Sequence, residues 1–478
     1  MKNFKLFVFV TSLPLIFMAC EKNVTQSDLK TDDTRQYNGK YNITVDEAMS
    51  ENVNDHEDFS DYTWESSNAS SIFLNGNAIT TSGSGVTVDG SIATITSGGN
   101  FMISGILNDG RIIVDCEDTL TVRLVLNNVN ITSTTNAPIS VNGAEKTVII
   151  LADNSDNYVT DPSDYVFDDP DDDEPNAAVF SKDDLSIYGK GSLTINANYK
   201  DGLASKDGLV INSGTININA VDDGIRGKDY LVIKAGSITI NAGGDALKSD
   251  NDEDGDMGYI LIEGGEIDII CDADGFDAET DALIMGGTLN VTTGGGSTIT
   301  PGESSAKGIK GNKWVVINDG TFNINSSDDA IHSNKSIFIN TGVYSISTGD
   351  DAVHADSSLI INDGSIDIVK CVEGIESNLI AINGGDISVV ASDDCVNSTE
   401  GTDVEFDDKS CTYIYGGRIV LNTTGGDGLD SNGSIVMTDG TVIIHGPSNA
   451  PEVMFDYNGT FKISGGFLAS AGSSSNMT

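Results

Sequence analysis

An Asp-Gly or Asp-Ala pair followed by an apolar residue returns at a fixed period along this chain, and that period restricts the folds open to it. Copies begin at Asp201-Gly202-Leu203, Asp223-Gly224-Ile225 and Asp245-Ala246-Leu247, 22 residues apart. The spacing recurs at Asp329-Ala330-Ile331, Asp351-Ala352-Val353 and Glu373-Gly374-Ile375, and one residue short at Asp394-Cys395-Val396. Insertions at 250–256, 298–305 and 398–410 account for the stretched intervals. A unit of this length cannot bury its apolar face alone and must stack on its neighbours, so the period predicts a solenoid.

Each copy holds two alternating runs split by a glycine, as in Leu209-Val210-Ile211-Asn212-Ser213-Gly214-Thr215-Ile216-Asn217-Ile218-Asn219. Period two is strand chemistry. Aligned on the glycine, one column reads Ile211, Ile233, Ile262, Ile284, Ile317, Ile339, Ile361, Ile382, Ile414, Met437. The next reads Ile216, Ile238, Ile267, Leu289, Phe322, Tyr344, Ile366, Ile387, Ile419, Val442. β-Branched residues repeated at one position of every coil are what parallel strands bury. The expectation is an all-β chain: a right-handed single-stranded parallel β-helix of ~22-residue coils, rising about 4.8 Å per coil, the spacing of paired strands. A leucine-rich repeat would need a Leu/Asn consensus and helical stretches, and neither is present.

Residues 1–19 carry Lys2 and Lys5, an apolar run over 6–16 and then Phe17-Met18-Ala19 before Cys20. This resembles a bacterial lipoprotein signal, with Cys20 as the lipidated residue, and predicts an exported outer-membrane or cell-surface lipoprotein. An ordinary secretory signal is the alternative. Residues 20–60 are polar, acidic and unpatterned and read as a flexible tether. Residues 61–176 carry strand-like runs without a clean register and read as irregular first coils and a cap, with an acidic loop at Asp168-Asp169-Pro170-Asp171-Asp172-Asp173-Glu174. The regular coils are expected over 177–478.

Lys and Arg number 25 against 73 Asp and Glu, a net charge of -48. That balance excludes nucleic acid and anionic membrane as direct partners, leaving membrane contact to the lipid anchor. Oligomeric state is not encoded in any pattern. Acids at this density either keep an exported chain soluble or are neutralised by a hard cation, for which Ca2+ is the natural candidate. Beyond Cys20 the cysteines are Cys116, Cys271, Cys371, Cys395 and Cys411, an odd, irregularly spaced set that is no disulfide framework. Cys395 falls in the small-residue column of Gly202 and Gly224 and is expected to be packed.

Three residues past each repeat acid lies an outward column that varies in charge: Ala204, Arg226, Lys248, Asp277, Lys310, His332, His354, Glu376, Asn397, Asp430. With Lys206 and Lys228, its cations Arg226, Lys248 and Lys310 either seat an anionic sugar chain or pair with the acids of adjacent coils. A second outward column, Gly208, Tyr230, Tyr259, Asp281, Trp314, offers aromatic faces of the kind on which pyranose rings stack, or else rings that cover the sheet edge. The run Asp250-Asn251-Asp252-Glu253-Asp254-Gly255-Asp256 has calcium-loop spacing, but Leu261 stands where an EF-hand carries Glu. Asp222, Asp223, Asp245, Asp274 and Asp277 are expected on coils beside it, making a candidate metal set with Asp250, Asp252, Asp254 and Asp256. Doubled acids at Asp328-Asp329, Asp350-Asp351 and Asp393-Asp394 continue the edge. His332 and His354 share the outward column on adjacent coils, without a clear third metal ligand.

The strings Phe180-Ser181-Lys182-Asp183-Asp184-Leu185, Asp201-Gly202-Leu203-Ala204-Ser205-Lys206-Asp207-Gly208, Val221-Asp222-Asp223-Gly224-Ile225-Arg226-Gly227-Lys228-Asp229-Tyr230 and Asp245-Ala246-Leu247-Lys248-Ser249-Asp250-Asn251-Asp252 resemble the clostridial-type carbohydrate-binding β-helix family, from about Phe101 onward. The resemblance implies a calcium-containing, pectate-lyase-shaped β-helix that binds polygalacturonate-type pectin, extending to cellulose, without established catalysis. It implies a functional edge around Arg226, Lys248 and the 250–256 loop. Three functions follow as expectations. The first is a non-catalytic module holding acidic plant polysaccharide through bridging calcium. The second is a calcium-dependent pectate lyase, in which Lys248 or Arg226, with lowered pKa, abstracts the proton beside the uronate carboxylate. The third is a structural adhesin.

Overall fold

The computed structural model describes residues 42–53, 57–117, 120–167, 169, 171–401 and 406–473. The segment read as a signal and the expected lipidation site Cys20 lie outside the described residues. The described chain is all-β apart from a five-residue helix, Val45–Met49, and two short 3-10 turns. None of its helices is long and apolar enough to cross a membrane.

Two antiparallel hairpins come first, Ser70–Gly76 with Ile79–Ser82 and Val86–Asp89 with Ile92–Ile95. Beyond them the sheet runs parallel, and in the regular region each strand pairs with the strand three later. One stack contains Asp201–Ser205, Ile225–Gly227, Leu247–Ser249, Phe276–Ala278, Ile309–Gly311 and Ile331–Ser333. A second contains Gly208–Ile211, Tyr230–Ile233, Tyr259–Ile262, Asp281–Ile284, Trp314–Ile317 and Ser336–Ile339. A third contains Thr215–Ala220, Ser237–Ala242, Glu266–Cys271, Thr288–Thr293, Thr321–Ser326 and Val343–Thr348. Three strands per repeat, each laid on its counterpart in the next, is a topology compatible with a β-helix.

The register reproduces the sequence columns. Ile211 lies opposite Ile233, Ile233 opposite Ile262, and so on to Ile414 opposite Met437. The column from Ile216 to Val442 is likewise paired step by step. Both columns are buried in one continuous core. The glycine between the second and third strands has positive φ, 124° at Gly214 and 122° at Gly236. A Cβ at Gly236 would stand 2.8 Å from the carbonyl oxygen of Gly214 in the coil before it. Stacking and left-handed backbone together exclude a side chain there.

A feature without periodicity covers the second stack. The helix Val45–Met49 opens on a capping box in which Thr44 accepts from the Glu47 amide and Glu47 accepts from the Thr44 amide. Val45 and Ala48 bury against the aromatic column. The segment is pinned along its length: Asn340 donates to the Ile43 carbonyl, the Val45 amide to Asn318, Asn52 to Asp281, and the Tyr259 hydroxyl to the Val53 carbonyl. Further on, Lys234 pairs with Glu57, and Lys146 with Asp61 at 2.8 Å. The expectation of a loose tether up to residue 60 is therefore corrected at residues 42–53 and 57–60, which form a strap on the coils.

Candidate functional site

The turn that opens each coil is held by its repeat acid. The carboxylate of Asp223 accepts the backbone N–H of Asp245 at 2.9 Å, Asp245 that of Asp274 at 2.9 Å, and Asp274 that of Lys307 at 2.7 Å. The same bond joins Asp329 to the Asp351 amide at 3.1 Å. A short acceptor on an otherwise orphaned amide explains why aspartate returns at this position. Three residues on, the outward column forms as read, with Arg226 opposite Lys248, Lys248 opposite Asp277, Lys310 opposite His332 and His354 opposite Glu376.

The cations of this column are engaged. Arg226 forms a fork with Asp250 through Nε at 3.1 Å and Nη2 at 2.5 Å, and Asp201 lies 3.9 Å away. Lys248 Nζ meets Asp245, Asp223 and Asp277 at 2.5, 3.6 and 3.7 Å. Lys310 meets Asp277 at 2.8 Å and Asp274 at 3.4 Å, and Lys206 meets Glu174 at 2.6 Å. Lys228 is half-buried near Asp207. Of the two readings of these cations the contacts match pairing: Lys206, Arg226, Lys248 and Lys310 each meet acids of their own or a neighbouring coil. The same contacts work against Lys248 or Arg226 as a lyase base. Burial alone would lower the Lys248 pKa, but Asp223 and Asp245 outweigh it and the net shift is upward. Arg226 moves the same way, burial being overcome by Asp250. A general base needs the opposite shift.

The aromatic column is corrected as well. Tyr230, Tyr259 and Trp314 are 5, 0 and 3 % exposed, because the strap and their neighbours cover them. Stacked at 5.9 Å, Tyr230 and Tyr259 are a packed pair and present no face to a ligand. Pointing out of its own coil does not expose a ring that another segment overlays.

The acids expected to share calcium separate into groups. Asp245, Asp274 and Asp277 bring ligand oxygens within 4.8 Å of one another, and Lys248 and Lys310 reach into the group. Asp222 is exposed, Asp223 is tied to Lys248, and Asp250 to Arg226. Asp252, Asp254 and Asp256 lie exposed on the loop, whose turn is closed by Asn251 accepting the amides of Glu253 and Asp254. They join no carboxylate cluster among the described residues.

Further along the same edge the balance reverses. Asp351, Glu373 and Glu376 converge within 4.8 Å, as do Asp427, Asp430 and Asp456, and Asp328, Asp329 and Asp350. Lys307 serves the last of these, at 2.7 Å from Asp328 and 3.1 Å from Asp329. Among the described residues no lysine or arginine pairs with Asp351, Glu373 or Glu376. Burial and then the charges of Asp329 and Glu373 push Asp351 up to about 9. Burial and Glu373 push Glu376 up to about 9. Glu373 and Glu376 were not singled out from the sequence, although both stand in columns it defines. All five described cysteines are buried, and burial pushes the Cys395 thiol up to about 12, in keeping with a packed residue.

The carbohydrate-binding domain-containing protein family matches residues 89–352. A protein of Acetivibrio thermocellus with that same description is 48 % identical over 201 residues, covering 42 % of this chain and 70 % of the relative. A solved structure titled as the polysaccharide lyase-like protein from C. thermocellum, a gadolinium derivative, shares 38 % identity with a TM-score of 0.47, covering 48 % of this chain and 92 % of that one. With the family spanning more than half of its length, the chain belongs to the carbohydrate-binding domain-containing proteins.

Proposed function

We propose that this protein is an exported, lipid-anchored module that holds an acidic polysaccharide of the polygalacturonate class through Ca2+ and does not cleave it, on a right-handed parallel β-helix. One observation carries the reading. In a carbohydrate-binding chain whose outward cations are internally paired, Asp351, Glu373 and Glu376 form a carboxylate cluster with no lysine or arginine partner. Such a cluster binds a hard divalent cation, and the ion's remaining coordination positions accept uronate carboxylates. A polyanion then reaches a strongly acidic surface through the cation. The proposed calcium edge lies C-terminal to the Arg226 and Lys248 region, where lysines meet the acids.

Titration of the mature chain with polygalacturonate in calcium and then in chelator, while following unsaturated-uronide absorbance, tests this. Calcium-dependent binding with flat absorbance supports it. Growing absorbance would make the protein a lyase, and binding indifferent to chelator would remove the bridging ion.

A further inference from the structure

Asp329, His332 and His354 stand apart from the carboxylate clusters because two of the three are imidazoles. His332 and His354 are paired on adjacent strands, their rings 5.0 Å apart and edge to face. Both turn Nδ1 toward Asp329 Oδ2, at 2.8 Å from His332 and 3.8 Å from His354. Ligand atoms of all three fall within 4.8 Å of one another. Bonds of about 2.0–2.1 Å at tetrahedral angles set neighbouring donors about 3.3 Å apart, a value the two measured edges bracket.

The far side of His332 is equally defined. Glu279 accepts from Asn312 Nδ2 at 3.2 Å, Asn312 Oδ1 accepts from Asn334 Nδ2 at 3.1 Å, and so Asn334 presents Oδ1 to His332 Nε2 at 2.9 Å. This relay holds a proton on Nε2 and turns Nδ1 toward the cluster, where loss of the proton shared with Asp329 frees its lone pair for a metal, the arrangement by which outer partners orient metal-binding histidines. Across the pair, Asp356 lies 3.7 Å from His354 Nε2. Lys307 is the competing cation at Asp329, but its shorter contact is to Asp328, where it remains paired.

We propose that Asp329, His332 and His354 form a site for one divalent transition cation of the zinc class, with Asp351, 3.5 Å from His354 Nδ1, as a fourth donor or neighbour. Two imidazoles favour such a cation over calcium, which takes oxygen ligands. The site adjoins the carboxylate cluster of Asp351, Glu373 and Glu376 through Asp351, and its two imidazoles distinguish it from that cluster. Binding displaces to solvent the proton bridging His332 Nδ1 and Asp329, and the half-buried histidines leave a position open to water or a ligand oxygen.

The experiment is Co2+ titration of the metal-free mature chain in excess Ca2+, read as ligand-field absorption, followed by displacement with Zn2+. One equivalent of Co2+ with an intense four- or five-coordinate spectrum, bleached by Zn2+, is expected. The His332→Gln/His354→Gln variant should lose the spectrum and weaken Zn2+ affinity at least about 100-fold, beyond the 10–100-fold that removal of an outer partner costs. His445→Gln should leave both unchanged. No spectrum in the unaltered protein overturns the proposal whatever the variants do, and so does an unchanged spectrum in the double variant.

Discussion

Asn52 donates through Nδ2 to Asp281 Oδ2 at 2.9 Å, joining the strap to the second stack across 229 residues of chain. Asp281 has no exposed surface, and burial raises its pKa despite the charge of Lys313. Replacing Asn52 by Ala leaves a buried carboxylate oxygen short of a donor, which costs about 1–3 kcal/mol. In a Trp64→Phe background, whose remaining indole is Trp314, the expected outcome is a lower unfolding midpoint with a red-shifted emission at temperatures below it. An unshifted spectrum would mean that the strap does not depend on this bond.

Lys248 sits among Asp223, Asp245 and Asp277, so truncating it leaves three carboxylates facing one another. Breaking a largely buried ion pair from one side costs on the order of 3 kcal/mol. Lys248→Ala should therefore lower stability in chelator by about that amount, and millimolar calcium should recover part of the loss by taking the ammonium's place. Polysaccharide retention at the C-terminal clusters should persist while the variant is folded. Denaturant melts with and without calcium, paired with a binding assay, measure both effects.

The pH response of the metal-free chain follows from ladder acids outside the carboxylate clusters. Burial and the charge of Asp223 raise Asp201 to about 7. Burial, opposed by the Asp427 amide, raises Asp394 to about 8. A carboxyl raised above its unfolded value of about 3.9 favours folding in its protonated form. Its contribution is complete below pH ~4 and is lost as pH climbs through the folded value. Stability in chelator should thus fall between about pH 4 and pH 8, and Asp394→Asn, which keeps the acceptor for the Asp427 amide, should flatten the upper part of that slope. A slope of opposite sign would show that these groups are ionised at no cost in the fold.

The stacking of parallel strands was legible because successive repeats restate the same constraints. Ile211 predicts the place of Ile233, and the register pairs them. The outward column was legible for the same reason, from Ala204 to Asp430. What the sequence concealed were relations between columns and between distant segments. Whether Lys248 faces a ligand or Asp245 depends on side-chain reach across a turn, and periodicity does not report it. Tyr259 reads as exposed until a strap 206 residues earlier places the Val53 carbonyl against its hydroxyl. The one local signal for that strap was the Thr44-x-x-Glu47 capping box in a segment otherwise without pattern.

Glu373 and Glu376 give the sharpest test of the proposed calcium site. If the ion sits with them and Asp351, its binding energy appears as added stability of RT ln(1 + [Ca]/Kd). It also discharges a cluster in which burial and like charge hold Asp351 and Glu376 up to about 9. The Glu373→Gln/Glu376→Gln double variant removes the mutual repulsion, so it should be more stable than the unaltered chain in chelator at pH 8. In calcium the order should reverse, because the variant gains less from the ion. Its calcium-dependent hold on polygalacturonate should fall at least about tenfold, a loss of about 1.4 kcal/mol. The same double change at Asp252 and Asp254, on the exposed loop, should leave the calcium-induced rise in midpoint within error. Equal calcium stabilisation in both double variants and the unaltered chain would place the ion elsewhere on the edge.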